Sequence, residues 1–245
     1  MPSQACKQMA APACKPPRRP MIEFWTKLWE WLPEILPVLW FATGMTVRVT
    51  IGALVVALLL GLVVALMRIS RVRPIRYLAL VYTDVLRGTP ALVQLFIIYF
   101  GLSDLGIEFD PVSAAIVGLG INGAAYVGEI YRAGIEATHR GQMEAALSLG
   151  MTPLKAMRFI ILPQAIRIML PPLCNYAILL VKDTAIISTI AAPEIMFEAR
   201  RMVQATFMHS ISGQIYLVCA LFYLALTLPL SHIARRLEQA RQRWH

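Results

Sequence analysis

"TIGALVVALLLGLVVAL", residues 50–66, contains seventeen residues and no charge. With its flanks it forms an apolar run from about 43 to 67. A helix rises ~1.5 Å per residue, and crossing a bilayer takes roughly 20 residues. The run is therefore long enough to span. It is continuous rather than alternating, which favours a helical bundle over a β-barrel.

The rest of the chain agrees with that reading. Hydrophobic residues make up 58% and charged residues 15%, against about 25% charge in a soluble domain. Mean hydropathy is +0.63. The expected class is an all-α polytopic membrane protein. The net charge of +9 does not point to nucleic acid, because most basic residues flank apolar runs and act as topology signals. Cys6, Cys14, Cys174 and Cys219 lack metal-ligand spacing, and His139, His209, His232 and His245 are scattered, so no metal site is expected.

Working outward, residues 1–20 are rich in Pro, Ala and Lys without an apolar core. They read as a disordered tail, not a cleaved signal. Residues 21–40 carry Phe24, Trp25, Trp29, Trp31 and Trp40 and read as an interfacial aromatic segment. The membrane domain is expected over 41–235. Its spans fall near 43–67, 78–102, 111–134, 166–192 and 213–233, and a basic tail follows at 236–245. The second span is interrupted by Arg87, Gly88, Thr89 and Pro90. Pro90 has no N–H and disfavours helix at Thr89, so a break is expected there. Small residues crowd the third span and permit close helix packing.

Charge sets the expected orientation. Four Arg lie in 68–76, five basic residues in 132–167 and four Arg in 235–245. The loop 103–110 has none, and 196–211 has only Arg200 and Arg201. The positive-inside rule then places the N terminus outside and the C terminus in the cytoplasm, although Lys7, Lys15, Arg18, Arg19 and Lys27 oppose it.

Polar residues inside spans mark the expected translocation pathway or gate. Asn122, Tyr126 and Glu129 recur at helical spacing and share one face. Glu129 has an alternative role as an ion-pair partner of Arg87 or Arg132. Asp183 and Thr184, beside Lys182, form a second polar island, read as gate, support or recognition.

Four stretches resemble one family. "EAALSLGMTPLKAMRFIILP" (144–163) matches the cytoplasmic coupling loop of the permease subunits of binding-protein-dependent ABC importers. "YTDVLRGTPALVQLFIIYFGL" (82–102), "NGAAYVGEIYRAGI" (122–135) and "PQAIRIMLPPLCNYAILLVKDTAI" (163–186) resemble the polar amino acid permeases within that group. The resemblance implies a five-span importer core in a bacterial cytoplasmic membrane, with a coupling loop at 136–164. It implies that Glu144, Ala145, Ala146, Gly150, Leu162 and Pro163 couple to an ATP-binding subunit. It also implies a second permease subunit, identical or paralogous, two ATP-binding subunits, and a solute-binding protein delivering a polar amino acid. The chain lacks a G-x-x-x-x-G-K-[ST] phosphate loop. It is thus expected to be a transporter subunit and not an enzyme, with MgATP used by the partner. The competing class is a secondary transporter driven by an ion gradient, which Glu129 and Asp183 keep open.

Overall fold

The computed structural model describes residues 20–138, 140–206 and 211–242. Residues 1–19 of the tail expected over 1–20, and the last three residues of the basic tail, lie outside them. Among the described residues all regular structure is helical.

Helix α1 (Pro20–Arg68) has 49 residues and a length of about 74 Å at 1.5 Å per residue. It is therefore more than twice as long as a bilayer core of roughly 30 Å. The aromatic segment 21–40 is the first part of this helix, continuous with the span, and Pro33 and Pro37 lie inside it. Trp25, Trp29, Trp40 and Phe41 remain exposed on its surface.

Two cores form along α1. Near its start, Ile35, Leu39 and Ala42 pack with Ile195 and Ala199 of α8 (Ile195–Ala205) and Ile215 and Val218 of α9 (Ser212–Gln242). Further along, Val49, Ala53 and Ala57 pack with Ala114, Leu119 and Val127 of α4 (Pro111–Glu136) and with Tyr176 and Leu180 of α7 (Leu162–Asp183). Small residues permit this approach: a Cβ on Gly120 would lie 2.5 Å from Val56. Helix α4 starts at Pro111 because Asp110 caps it, its Oδ2 accepting the N–H groups of Val112 (3.0 Å) and Ser113 (3.1 Å). Hydrogen bonds from Ser113 hold the Asp110 carboxyl below its ordinary range.

Between α1 and α4 the chain forms α2 (Arg73–Gly88) and α3 (Ala91–Phe96), the latter running into a π-turn at Ile97–Gly101. These two segments are bent by 104° across Thr89 and Pro90. Among the described residues, four helices are long and apolar enough to cross a membrane, and the bent pair makes a fifth if it counts as one span.

Between α4 and α7 lie α5 (Arg140–Ser148), α6 (Pro153–Ala156) and a π-turn at Met157–Ile161. The π-turn leads directly into α7, and helical backbone runs from Pro153 to Ile190. Pro163 has no N–H, and a proline inside a helix ordinarily ends or kinks it. Helix continues through it because Pro163 sits in the first turn of α7, where a missing N–H costs little.

Candidate functional site

The break between α2 and α3 is held by side chains. The C-terminal turn of α2 leaves backbone carbonyls without helical donors. The Gln94 amide supplies donors, its Nε2 reaching Leu86 O (2.8 Å), Thr89 O (3.1 Å) and Thr89 Oγ1 (2.7 Å). Asn122 of α4 donates to Leu86 O (3.2 Å) and to Gln94 Oε1 (3.0 Å). The Tyr82 hydroxyl donates to Ile121 O at 2.6 Å. Gln94 and Asn122 are both buried, so this is a braced joint between the bent pair and α4. Arg87, Gly88, Thr89 and Pro90 are themselves exposed.

Below the joint, a cavity of about 670 Å³ opens between α4 and α7. Tyr126, Glu129, Asn175, Tyr176, Leu179 and Arg87 line it. Tyr126 stacks on Tyr176 with centroids 6.1 Å apart. The Arg87 guanidinium lies 5.4 Å from the Tyr126 ring centroid, a cation–π contact. Arg87 has no carboxylate partner among the described residues. With Glu238 also on its wall, the cavity offers a cation, two carboxylates, two phenols and an amide. Those groups can receive the carboxylate and polar atoms of a small zwitterion.

The pathway residues expected from sequence divide. Tyr126 and Glu129 reach the cavity, whereas Asn122 serves the joint. Glu129 is also an ion-pair centre: Arg68 Nε donates to Oε1 (3.0 Å) and Arg132 Nη2 to Oε2 (2.7 Å). Of the two partners considered for it, Arg132 pairs and Arg87 does not. Thr184 is buried and donates to Val181 O (2.7 Å), while Asp183 is exposed at the end of α7. Neither lines this cavity.

The expected coupling residues sit on the α5–α6 connection. Glu144 and Ala145 are exposed, and Ala146 is buried. Gly150 takes φ +80°. It ends α5 by a Schellman turn, with Met151 N–H donating to Ala146 O at 3.1 Å. Thr152 then caps α6, with Pro153 at its first turn. Large apolar side chains nonetheless point outward: Leu149 is 84% exposed, Leu154 79% and Phe159 63%. Leu162 and Pro163 are exposed at the start of α7.

Glu194 is a site that sequence reasoning missed. It is fully buried. It caps α8 by accepting from Met196 N–H (2.9 Å) and Phe197 N–H (2.6 Å), and the Tyr223 hydroxyl donates to it at 2.5 Å. Burial pushes its carboxyl up to about 7. Asn175 and Tyr176 were also missed, although polar residues inside the fourth apolar run were visible. Among the described residues no group of His, Cys, Asp and Glu could hold a metal ion.

Residues 57–243 match the model of the family described as binding-protein-dependent transport system inner membrane component. The probable glutamine ABC transporter permease protein GlnM of Bacillus subtilis (strain 168) is 39% identical over 199 residues, covering 80% of this chain and 91% of that one. The arginine transport system permease protein ArtQ of the same organism is 38% identical over 209 residues, covering 85% and 94%. A solved structure described as an amino acid ABC transporter with histidines aligns with TM-score 0.79 and 39% identity, covering 85% and 96%. An inward-facing structure of the MetNI methionine ABC transporter aligns with TM-score 0.60 at 17% identity, a likeness of fold.

Proposed function

Because this chain belongs to the family of binding-protein-dependent transport system inner membrane components, we propose how its parts divide the work of transport. It is the membrane permease subunit of an ABC-type importer of polar amino acids. ATP hydrolysis does not reside in it. A partner subunit binds MgATP, a second permease subunit completes the pathway, and a solute-binding protein delivers the substrate.

The observation that carries the division is the exposed apolar surface on a polar connection. Leu149, Leu154 and Phe159 stand out from the turn after α5, from α6 and from the π-turn. Solvated helices do not usually present such a row, and exposed apolar patches mark interaction surfaces. We assign this surface to the groove of the ATP-binding subunit, with Glu144 beside it. The Glu144 carboxylate has no partner among the described residues and is available for a cation or N–H across that contact.

Orientation follows from the same end of the molecule. Arg68, Arg76, Arg132 and Met157 border one cavity, so the 68–76 loop and the α5–α6 connection share an end. Glu238 of α9 lines the α4–α7 cavity with Ala137, which brings the basic tail to that end too. The positive-inside rule places this end in the cytoplasm and the N terminus outside, across a bacterial cytoplasmic membrane. The bent pair of α2 and α3 supplies the fifth span. Closure of the ATP-binding subunits pushes on α5 and α6, and the continuous helix from Pro153 to Ile190 carries that push to Tyr176 in the cavity wall. Only a contact that differs between the two states can drive the shift.

Uptake into proteoliposomes tests this. Uptake requiring ATP, the ATP-binding subunit and the binding protein is expected. Uptake driven by an ion gradient without ATP would overturn the reading. Glu144→Ala is expected to cut uptake and binding-protein-stimulated ATPase several-fold while the complex stays assembled. Unchanged uptake and ATPase would remove Glu144 from the coupling contact.

A further inference from the structure

A second cavity, of about 480 Å³, lies at the end of the molecule where α1 finishes. Arg68, Arg76, Arg132 and Glu136 line it together with Ile69, Ile135 and Met157. Three guanidiniums therefore gather here around two carboxylates, since Glu129 bonds both Arg68 and Arg132 and Glu136 bonds Arg132. Arg132 is committed, with Nε and Nη2 on Glu129 and Nη1 on Glu136. Arg68 spends only its Nε on Glu129, leaving two terminal nitrogens for another acceptor. Arg76 is exposed and has no carboxylate partner among the described residues. One positive charge remains unmatched at the mouth of the cavity.

We propose that this cavity seats the phosphate of an anionic phospholipid headgroup, with Arg76 and Arg68 as donors and Arg132 as supporting charge. Guanidiniums match phosphate oxygens with paired N–H groups. The position selects a lipid over a soluble anion. The cavity stands where the apolar runs of α1 and α4 end, at the depth of headgroups. Ile69, Ile135 and Met157 give the glycerol and first methylenes an apolar floor. Basic pockets between membrane helices at a cytoplasmic face hold such headgroups. The seat also touches the π-turn that leads from α6 into α7, through Met157. An occupying lipid therefore bears on the segment assigned above to coupling.

Only the choice of leaflet rests on the transport reading, so the test is one of lipid retention rather than uptake. The full chain is placed in nanodiscs of phosphatidylcholine with phosphatidylglycerol, released, and its bound lipids are counted by native mass spectrometry. The wild-type chain is expected to retain phosphatidylglycerol preferentially. Arg76→Gln is expected to lower that retention several-fold and Arg76→Lys to keep most of it. Arg235→Gln, an exposed arginine on α9, is expected to leave it unchanged. An unchanged Arg76→Gln, or equal losses in Arg76→Gln and Arg235→Gln, would overturn the seat in favour of diffuse attraction. In a second arm, millimolar inorganic phosphate is added to the chain in pure phosphatidylcholine. If phosphate raises thermal stability as much as phosphatidylglycerol does, and Arg76→Gln abolishes the rise, the ligand is a free anion and the lipid is wrong.

Discussion

At Gly123 helix α4 gives up its side chain to another residue. A Cβ there would collide with the Tyr176 hydroxyl oxygen and lie 2.9 Å from the Ala57 Cβ. Tyr176 is 7% exposed and stacks on Tyr126 in the cavity wall, so it has little freedom to retreat. Gly123→Ala should cost about 1–3 kcal/mol, as overpacking does, read as a fall in thermal midpoint in detergent. Tyr176→Phe removes the clashing oxygen. The double variant should therefore recover part of the loss, and strict additivity would show that the contact is not the cause. Glu194 supplies a pH prediction. Its folded carboxyl sits at about 7 against an ordinary 4.5, raised by burial. The stabilisation it contributes is full below about 4.5 and is lost as pH rises through about 7. Tyr223, Cys219 and Glu198 surround it, and Arg201 pairs with Glu198. Glu194→Gln should flatten the decline in thermal midpoint between pH 5 and pH 8. A decline as steep as in the wild-type chain would place its source in another group.

Among the elements, the bent pair depends most on single side chains. Gln94 is the donor for carbonyls that the break leaves open, and it lies 8% exposed. Gln94→Leu fits the space and removes the donors. Leaving Leu86 O and Thr89 O short of partners should cost roughly 1–3 kcal/mol, with faster amide exchange in residues 85–95 as the local readout. Unchanged exchange there would mean that packing, and not the amide, fixes the bend. The sequence exposed part of this element. Gly-Thr-Pro marked the place of the break, since Pro90 has no N–H, and apolar length marked the long spans. The brace was not visible, because Gln94 and Asn122 are 28 residues apart and meet only after folding. The α4 face shows the same limit. Asn122 and Glu129 share that face, yet seven residues separate their heights by about 10 Å. One therefore meets the joint and the other meets Arg68, a partner 61 residues away. Helical spacing reports direction around an axis and says nothing about neighbours at each level.

Among the described residues, helix α1 is a spine that carries two cores. Helix α1 binds α8 and α9 near its start and α4 and α7 further along, so the two packing units share one rod. Thr46 lies between the two sets of α1 contacts, its Oγ1 accepting the Ile195 N–H of α8 at 3.3 Å. Against this frame, the cavity of about 670 Å³ between α4 and α7 leaves Asn175 and Leu179 exposed, Leu179 by 54%. Leu62 on α1 is exposed almost as much, by 50%. Exposure alone does not separate a lipid-facing residue from a pathway-facing one. Their surroundings do: Leu179 stands among Arg87, Tyr126 and Asn175, whereas Leu62 stands in an uncharged apolar run. Polar groups in a membrane face protein or water rather than lipid. A second permease subunit should then cover Leu179. A photo-crosslinking benzoylphenylalanine placed at position 179 in the assembled complex should capture that subunit, with the mass of the product telling an identical partner from a paralogous one. The same probe at position 62 should capture lipid. Capture of lipid at 179 and of protein at 62 would reverse the two faces, and the pathway would then have to be sought on α1.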